Sequence, residues 1–152
     1  MKYWLMKSEP DVFGIDDLKN APGMTEPWDG VRNYQARNMM RDDMKKGDLA
    51  FLYHSNCKEP GIAGIMEIIR EGYTDVTASD PDAKYFDPKS DPANPRWYRV
   101  DVRYVRKLKR IITLSELKEH SEVAGLPLVR RGNRLSIMPV NRQQWEYILT
   151  LE

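Results

Sequence analysis

Leu49-Ala50-Phe51-Leu52-Tyr53-His54-Ser55 is the stretch on which the fold turns. Apolar side chains occupy both alternating sets, Leu49, Phe51 and Tyr53 on one and Ala50 and Leu52 on the other, as in a central strand covered on two faces. A second such run, Ile62 to Ile69, follows Lys58-Glu59-Pro60-Gly61, and Gly64 inside it marks a bulge or a close backbone approach. Further out, Tyr98, Val100, Val102 and Tyr104 alternate with Arg99, Asp101 and Arg103, a strand with one core face and one charged face. Tyr3-Trp4-Leu5-Met6 and Leu135-Ser136-Ile137-Met138-Pro139-Val140 read as an early and a late strand.

Helices are short and lie between the strands. Ile15 and Leu18 fit a turn of helix facing the core. Asn33 is an N-cap for a helix to about Asp43, with Ala36, Met39 and Met40 at helical spacing. Thr113-Leu114-Ser115-Glu116 has the form of a capping box opening a helix through about His120. Asn141 and Gln144 repeat that form ahead of Trp145, Ile148 and Leu149. Pro22-Gly23 and Glu26-Pro27 place Trp28 in a loop, and Asp75 to Pro95, with four prolines, is a long connection. The expectation is an α+β fold over residues 1–152 as one domain, built on a curved sheet or small barrel with short flanking helices.

Composition narrows the function. The chain has 152 residues, 24 basic against 23 acidic, and one cysteine, Cys57. No disulfide can form within it, and a reducing cytoplasm is the expected setting. No run approaches the roughly 18 apolar residues that span a bilayer, and the N-terminus lacks the form of a signal peptide, so no membrane partner is expected. Two histidines and one cysteine cannot build a closed zinc site, the aspartates lack the spacing of a calcium loop, and no glycine-rich phosphate motif is present. Neither a metal nor a cofactor is expected. His54 and Cys57 share no regular face, which weakens a thiol nucleophile. Charge is segregated: Asp75 to Asp91 holds five aspartates against two lysines, whereas Arg96 to Arg134 holds eleven basic residues against four acidic ones. Such a basic half suits a phosphate-facing surface or, equally, a solvated strand face.

Base recognition needs aromatic faces, amides and hydroxyls for base edges, and arginines for phosphate. Trp28-Asp29-Gly30-Val31-Arg32-Asn33-Tyr34-Gln35-Ala36-Arg37-Asn38 supplies that mixture where a core helix would carry leucines. Trp4 and Trp145 belong to the core by their periodic surroundings. Trp28, without apolar neighbours in sequence, is the stacking platform. Tyr85 and Trp97 serve as pocket walls or as packing. Lys7, Ser8, Asn33, Tyr53, His54, Ser55, Asn56, Arg134 and Ser136 complete the candidate base pocket, Asn33 with a competing role as cap. Arg99, Arg103, Arg106 and Lys107 are the phosphate candidates. No catalytic residue is assigned.

These blocks resemble the EVE domain family of the PUA-like superfamily. The likeness is carried by Tyr3–Pro10, Trp28–Asn38, Gly47-Asp48, Tyr53-His54-Ser55-Asn56, Gly61–Gly64, Tyr85-Phe86-Asp87-Pro88 and Arg134-Leu135-Ser136. It implies a PUA-like curved sheet or pseudo-barrel and a distant kinship with YTH domains, in which a Lys-Ser strand end precedes a cage tryptophan, as Lys7-Ser8 precedes Trp28. It also implies a nucleic-acid partner with a modified base, a modified cytosine in DNA ahead of RNA. The alternatives are an RNA-associated PUA- or ASCH-like module or hydrolase using Lys7 and Glu9, and a protein-interaction module without a nucleotide ligand. Oligomeric state is left open.

Overall fold

A computed structural model describes residues 1–152. Six strands form one mixed, open sheet: β1 (Tyr3–Ser8), β2 (Thr25–Trp28), β3 (Leu49–His54), β4 (Gly61–Thr74), β5 (Tyr98–Thr113) and β6 (Ile137–Val140), in the order β2-β5-β4-β3-β1-β6. Only β1 and β3 run parallel; the other neighbours are antiparallel. The α-helices are α1 (Pro10–Phe13), α2 (Ile15–Asn20), α3 (Tyr34–Asn38), α4 (Leu114–Leu117) and α5 (Arg142–Leu149). None is long and apolar enough to cross a membrane.

The two-sided apolar pattern of β3 places its residues in two hydrophobic clusters on opposite faces. Ala50 and Leu52 join Trp4 and Met6 of β1, Ile15 and Leu18 of α2, and Met40 on one side. Phe51 and Tyr53 join Leu5, Trp145, Ile148 and Met138 on the other. Trp145 lies between Tyr3 and Phe51, with ring centroids at 4.6 Å and 3.9 Å. The Asn141–Gln144 capping box that starts α5 forms in both directions. Buried Asp48 ties the turn before β3 to β1, accepting from Trp4 Nε1 at 3.0 Å and from the backbone N–H groups of Lys2 and Lys45.

Gly64 is a close approach: a Cβ there would lie 2.4 Å from Ile15 Cδ1, and the β4–β5 register shifts beside it. Asn33 caps α3 by accepting from Ala36 N at 2.9 Å, and the helix continues to Asp43 as a π-helical turn. At Thr113 the expected box is half made. Thr113 accepts from Glu116 N, but the Glu116 carboxylate turns to the Arg110 guanidinium, at 2.6 Å and 2.7 Å, because a charged donor outcompetes a neutral N–H. Strand β4 runs past its apolar stretch to Thr74, where β5 supplies its backbone partners, and β5 continues to Thr113 with Leu108 and Ile112 in the second cluster.

The clearest correction concerns Thr25–Trp28. Its proline and lack of alternation suggest a loop, yet it is the edge strand β2, paired with Thr25↔Arg103 through Trp28↔Val100. Pro27 is tolerated because an edge strand needs only one side of its hydrogen-bonding row. Late strand β6 begins at Ile137, with Leu135 and Ser136 leading into it.

Candidate functional site

Strand pairing builds the floor of a cleft at one end of the sheet. Because β1 and β3 are parallel with Ser8 opposite His54, their carboxyl ends finish together, and Ser55 N donates to Ser8 O at 3.0 Å. The antiparallel β6 starts at that same end, and Lys7 N donates to Ser136 O at 2.8 Å. Lys7-Ser8-Glu9, Ser55-Asn56 and Arg134–Ser136, far apart in sequence, thus meet at one end of three adjacent strands. Asn56 sits in the left-handed region at φ 49°, which its short side chain tolerates, and its amide donates to Glu9 Oε1.

The opposite wall comes from the other edge of the sheet. Residues Glu26 to Arg32, at the end of β2 and beyond it, face Ser8 and Ser136 across the cleft, with Val12 and Phe13 of α1 between. Sheet order separates β2 from β1 by three strands, so only strong curling brings these edges together. The cleft has a volume of about 520 Å³, the size of a small-molecule site.

Asp75 holds that wall in place. Its side chain is fully buried and accepts from Gly30 N at 2.9 Å, Arg32 Nη1 at 3.0 Å and both N–H and O–H of Thr77. Burial alone pushes its carboxyl up; hydrogen bonds from Thr77, Gly30 and Arg32 outweigh that and leave it below the usual carboxylate range. Arg32 also donates to Tyr85 O at 2.9 Å, which fastens the long 75–95 connection to the cleft and sets the Tyr85 ring over Gly30. Gly30 has φ 77°, and a Cβ there would lie 2.4 Å from Tyr85 Cδ2. Gly30→Ala is therefore expected to displace Tyr85 and to cost about 1–2 kcal/mol of stability through backbone strain. Chemical denaturation beside ligand titration checks this, with the larger loss expected in binding; unchanged binding would remove Tyr85 from the wall.

Charges around the cleft are balanced. Lys7, Arg32 and Arg134 face Glu9, Glu26 and Asp29. Burial lowers the Lys7 ammonium, which has no carboxylate within 4.0 Å and lies 5.8 Å from the Tyr53 ring centroid. Burial also raises the Asp29 carboxyl, aided by nearby Asp75 and opposed by Arg99. Glu26 is raised by burial and then by Asp29 and Asp101. The arrangement offers aromatic side chains, carboxylate acceptors, hydroxyl and amide groups, and three exposed or half-exposed cations, of which Arg32 is already paired with Asp75. No group of three His, Cys, Asp or Glu side chains is placed to hold a metal ion.

Of the candidate pocket residues, Lys7, Ser8, Trp28, Ser55, Asn56, Tyr85, Arg134 and Ser136 line this cleft. Trp28 is also a core residue, 7% exposed, its partners supplied by β5 and the first apolar cluster rather than by its sequence neighbours. Four candidates stand elsewhere. Tyr53 packs in the second cluster. His54 Nε2 accepts from Ile15 N at 3.1 Å and fixes α2. Asn33 is the cap of α3. Trp97 anchors the 75–95 connection, donating to Asp87 at 2.7 Å and stacking on Tyr34 at 4.7 Å.

The phosphate candidates on β5 all have acidic partners. Arg99 faces Asp29 and Asp75 at 3.8 Å and 4.0 Å, and Arg103 pairs with Glu67 at 2.6 Å. Arg106 pairs with Glu152 at 2.6 Å and Lys107 with Asp16 at 3.0 Å. Alternation along β5 predicted a shared face for Arg99 and Arg103 but not the acids brought beside the four cations by other elements. Glu26 and Asp75 had no site role in the sequence reading, and Asp29 entered it only as the acid of the Trp28–Asn38 block.

Comparison with known proteins places the chain. Thymocyte nuclear protein 1 of Danio rerio is 49% identical over 165 residues, covering 98% of this chain and 71% of that protein. A crystal structure of a Pseudomonas syringae protein matches with a TM-score of 0.94 at 51% identity, over 98% of both chains. The human THYN1 protein, solved in complex with 5-methylcytosine-containing DNA, matches with a TM-score of 0.91 at 47% identity, over 99% of this chain and 97% of that one. The cytoplasmic expectation does not survive: the zebrafish relative is a nuclear protein by name, and the same name recurs in human and mouse. The fold is PUA-like, and the EVE domain profile matches residues 2–151; the chain belongs to the EVE domain family.

Proposed function

We propose that this chain is a single, non-enzymatic base-reading module over residues 1–152, taking a modified cytosine of DNA into the cleft between Trp28 and the carboxyl ends of β1 and β3. The observation that carries the reading is the meeting of Trp28 with carboxylates and hydroxyls in one cleft, in a chain 47% identical to a protein solved with 5-methylcytosine-containing DNA. Trp28 stacks on the ring. Cytosine presents an amino donor beside two acceptors, and acids are its fitting partners. Glu26 or Asp29 accepts from the amino group, while Ser8, Ser55, Asn56 and backbone N–H groups serve the acceptors. Val12, Phe13 and Val31 give the methyl group an apolar surface.

Extracting a base from a duplex costs a few kcal/mol, so accessible bases bind better. Titration with short single- and double-stranded oligonucleotides carrying cytosine, 5-methylcytosine, 5-hydroxymethylcytosine, adenine or methyladenine tests this. Preference for one modified cytosine, stronger in single strands, is the expected result. Equal binding to every base would overturn it. Turnover of a modified nucleoside, abolished in Lys7→Ala or Glu9→Ala, would instead make the protein a hydrolase.

A further inference from the structure

Lys7 stands on the wall between two concavities. Beyond it from the first cleft lies a second, of about 720 Å³, bounded by Tyr53, by Lys118 after α4, and by the loop Arg130-Arg131-Gly132-Asn133. Its lining contains no Asp or Glu. Lys118, Arg130 and Arg131 are exposed, and like Lys7 they pair with no carboxylate. Arg130 has only a long contact to Gly125 O at 3.4 Å. This contrasts with β5, where Arg99, Arg103, Arg106, Lys107 and Arg110 each face an acid.

A second feature points the same way. Asn133 Oδ1 accepts from Leu135 N at 3.2 Å, which fixes the amide, and leaves Nδ2 buried without a hydrogen-bond partner. Buried donors are almost always paired, so this one invites an acceptor from outside the chain. Unpaired cations, an unused amide donor and an absence of carboxylates together match phosphate oxygens.

We propose that the second cleft holds the phosphodiester backbone flanking the base held in the first, with Arg130, Arg131 and Lys118 on phosphates and Lys7 at the junction. The inference rests on the base-reading proposal for its geometry, and it moves the phosphate surface from β5 to the 130–133 loop. The ligand is then a polymer, and a free nucleoside would occupy the first cleft alone.

The test is the salt dependence of binding to a short single-stranded oligonucleotide with one central 5-methylcytosine. Each phosphate contact contributes roughly 0.7 to the slope of log affinity against log salt for single strands, so Arg130→Ala/Arg131→Ala should lower that slope by roughly 1.4. The ratio of methylated to unmethylated affinity should stay unchanged. Arg103→Ala/Lys107→Ala should leave the slope intact, and Asn133→Asp should weaken binding by placing an acceptor where the donor stands. A slope unchanged in the loop variant, or lowered in the β5 variant instead, overturns the proposal. If wild type binds methylated and unmethylated strands equally, base reading falls, yet a slope lost in the loop variant still supports the backbone cleft.

Discussion

Asp75→Ala is expected to destabilise the protein by about 3–5 kcal/mol, the usual consequence of removing one partner from a buried charge pair. The loss has three parts. Arg32 and Arg99 lose the carboxylate between them. Gly30 N loses its acceptor, and Thr77 loses two hydrogen bonds. Arg99 Nε is already buried without a partner, so little is at hand to compensate. The sign of the pH dependence follows from the depressed carboxyl of Asp75. A carboxylate whose folded pKa lies below its unfolded value contributes in full above the unfolded pKa, about 3.9 for aspartate, and loses that contribution as pH falls through the folded value. Denaturant midpoints from neutral pH into the acid range should therefore fall less steeply for Asp75→Ala than for wild type. Parallel acid limbs would show that Asp75 is not the coupled group. Binding should suffer beyond stability, because the Gly30 and Arg32 contacts hold the Trp28 wall against the floor of the cleft.

Trp28→Ala should produce the second large effect, on two scales at once. As a buried core residue on β2, Trp28 should take about 3–5 kcal/mol of stability with it. As a stacking surface it should take roughly 1–3 kcal/mol of base affinity, on the order of 5- to 150-fold. The two are separable. Trp28→Phe keeps an aromatic face and most of the apolar volume, so it should lose less of both. Titrations are to be run where circular dichroism shows each variant folded. A folded Trp28→Ala that keeps full discrimination between cytosine and 5-methylcytosine would remove the base from this ring.

Both effects come from residues whose double role is invisible in the chain. Trp28 lacks apolar neighbours from Pro27 to Gly30, which reads as a free platform; its packing partners arrive through pairing with Val100 on β5. Asp75 opens a proline-rich connection, and nothing local shows that it will meet Gly30 and Arg32. Lys7, Ser8, Ser55 and Asn56 were legible for a different reason: polar groups at the end of a buried strand must find partners, and strand ends gather at one edge. His54, in that same block, was claimed by Ile15 N, an outcome set by where α2 docks.

The sequence by itself determined the central strands, the caps of α3 and α5 and the close approach at Gly64, because these depend on alternation, spacing and local hydrogen bonds. It also carried the family likeness and half of the cleft, the polar ends of β1 and β3. The tertiary structure alone decided which way the sheet curls, and hence that β2 faces β1 and β6 across a cleft. It alone decided which cations are neutralised, since an ion pair depends on distance through space and the acids facing β5 come from elements scattered along the chain. Side-chain chemistry is written locally; which groups stand opposite one another is settled only when long-range strand pairing closes the sheet.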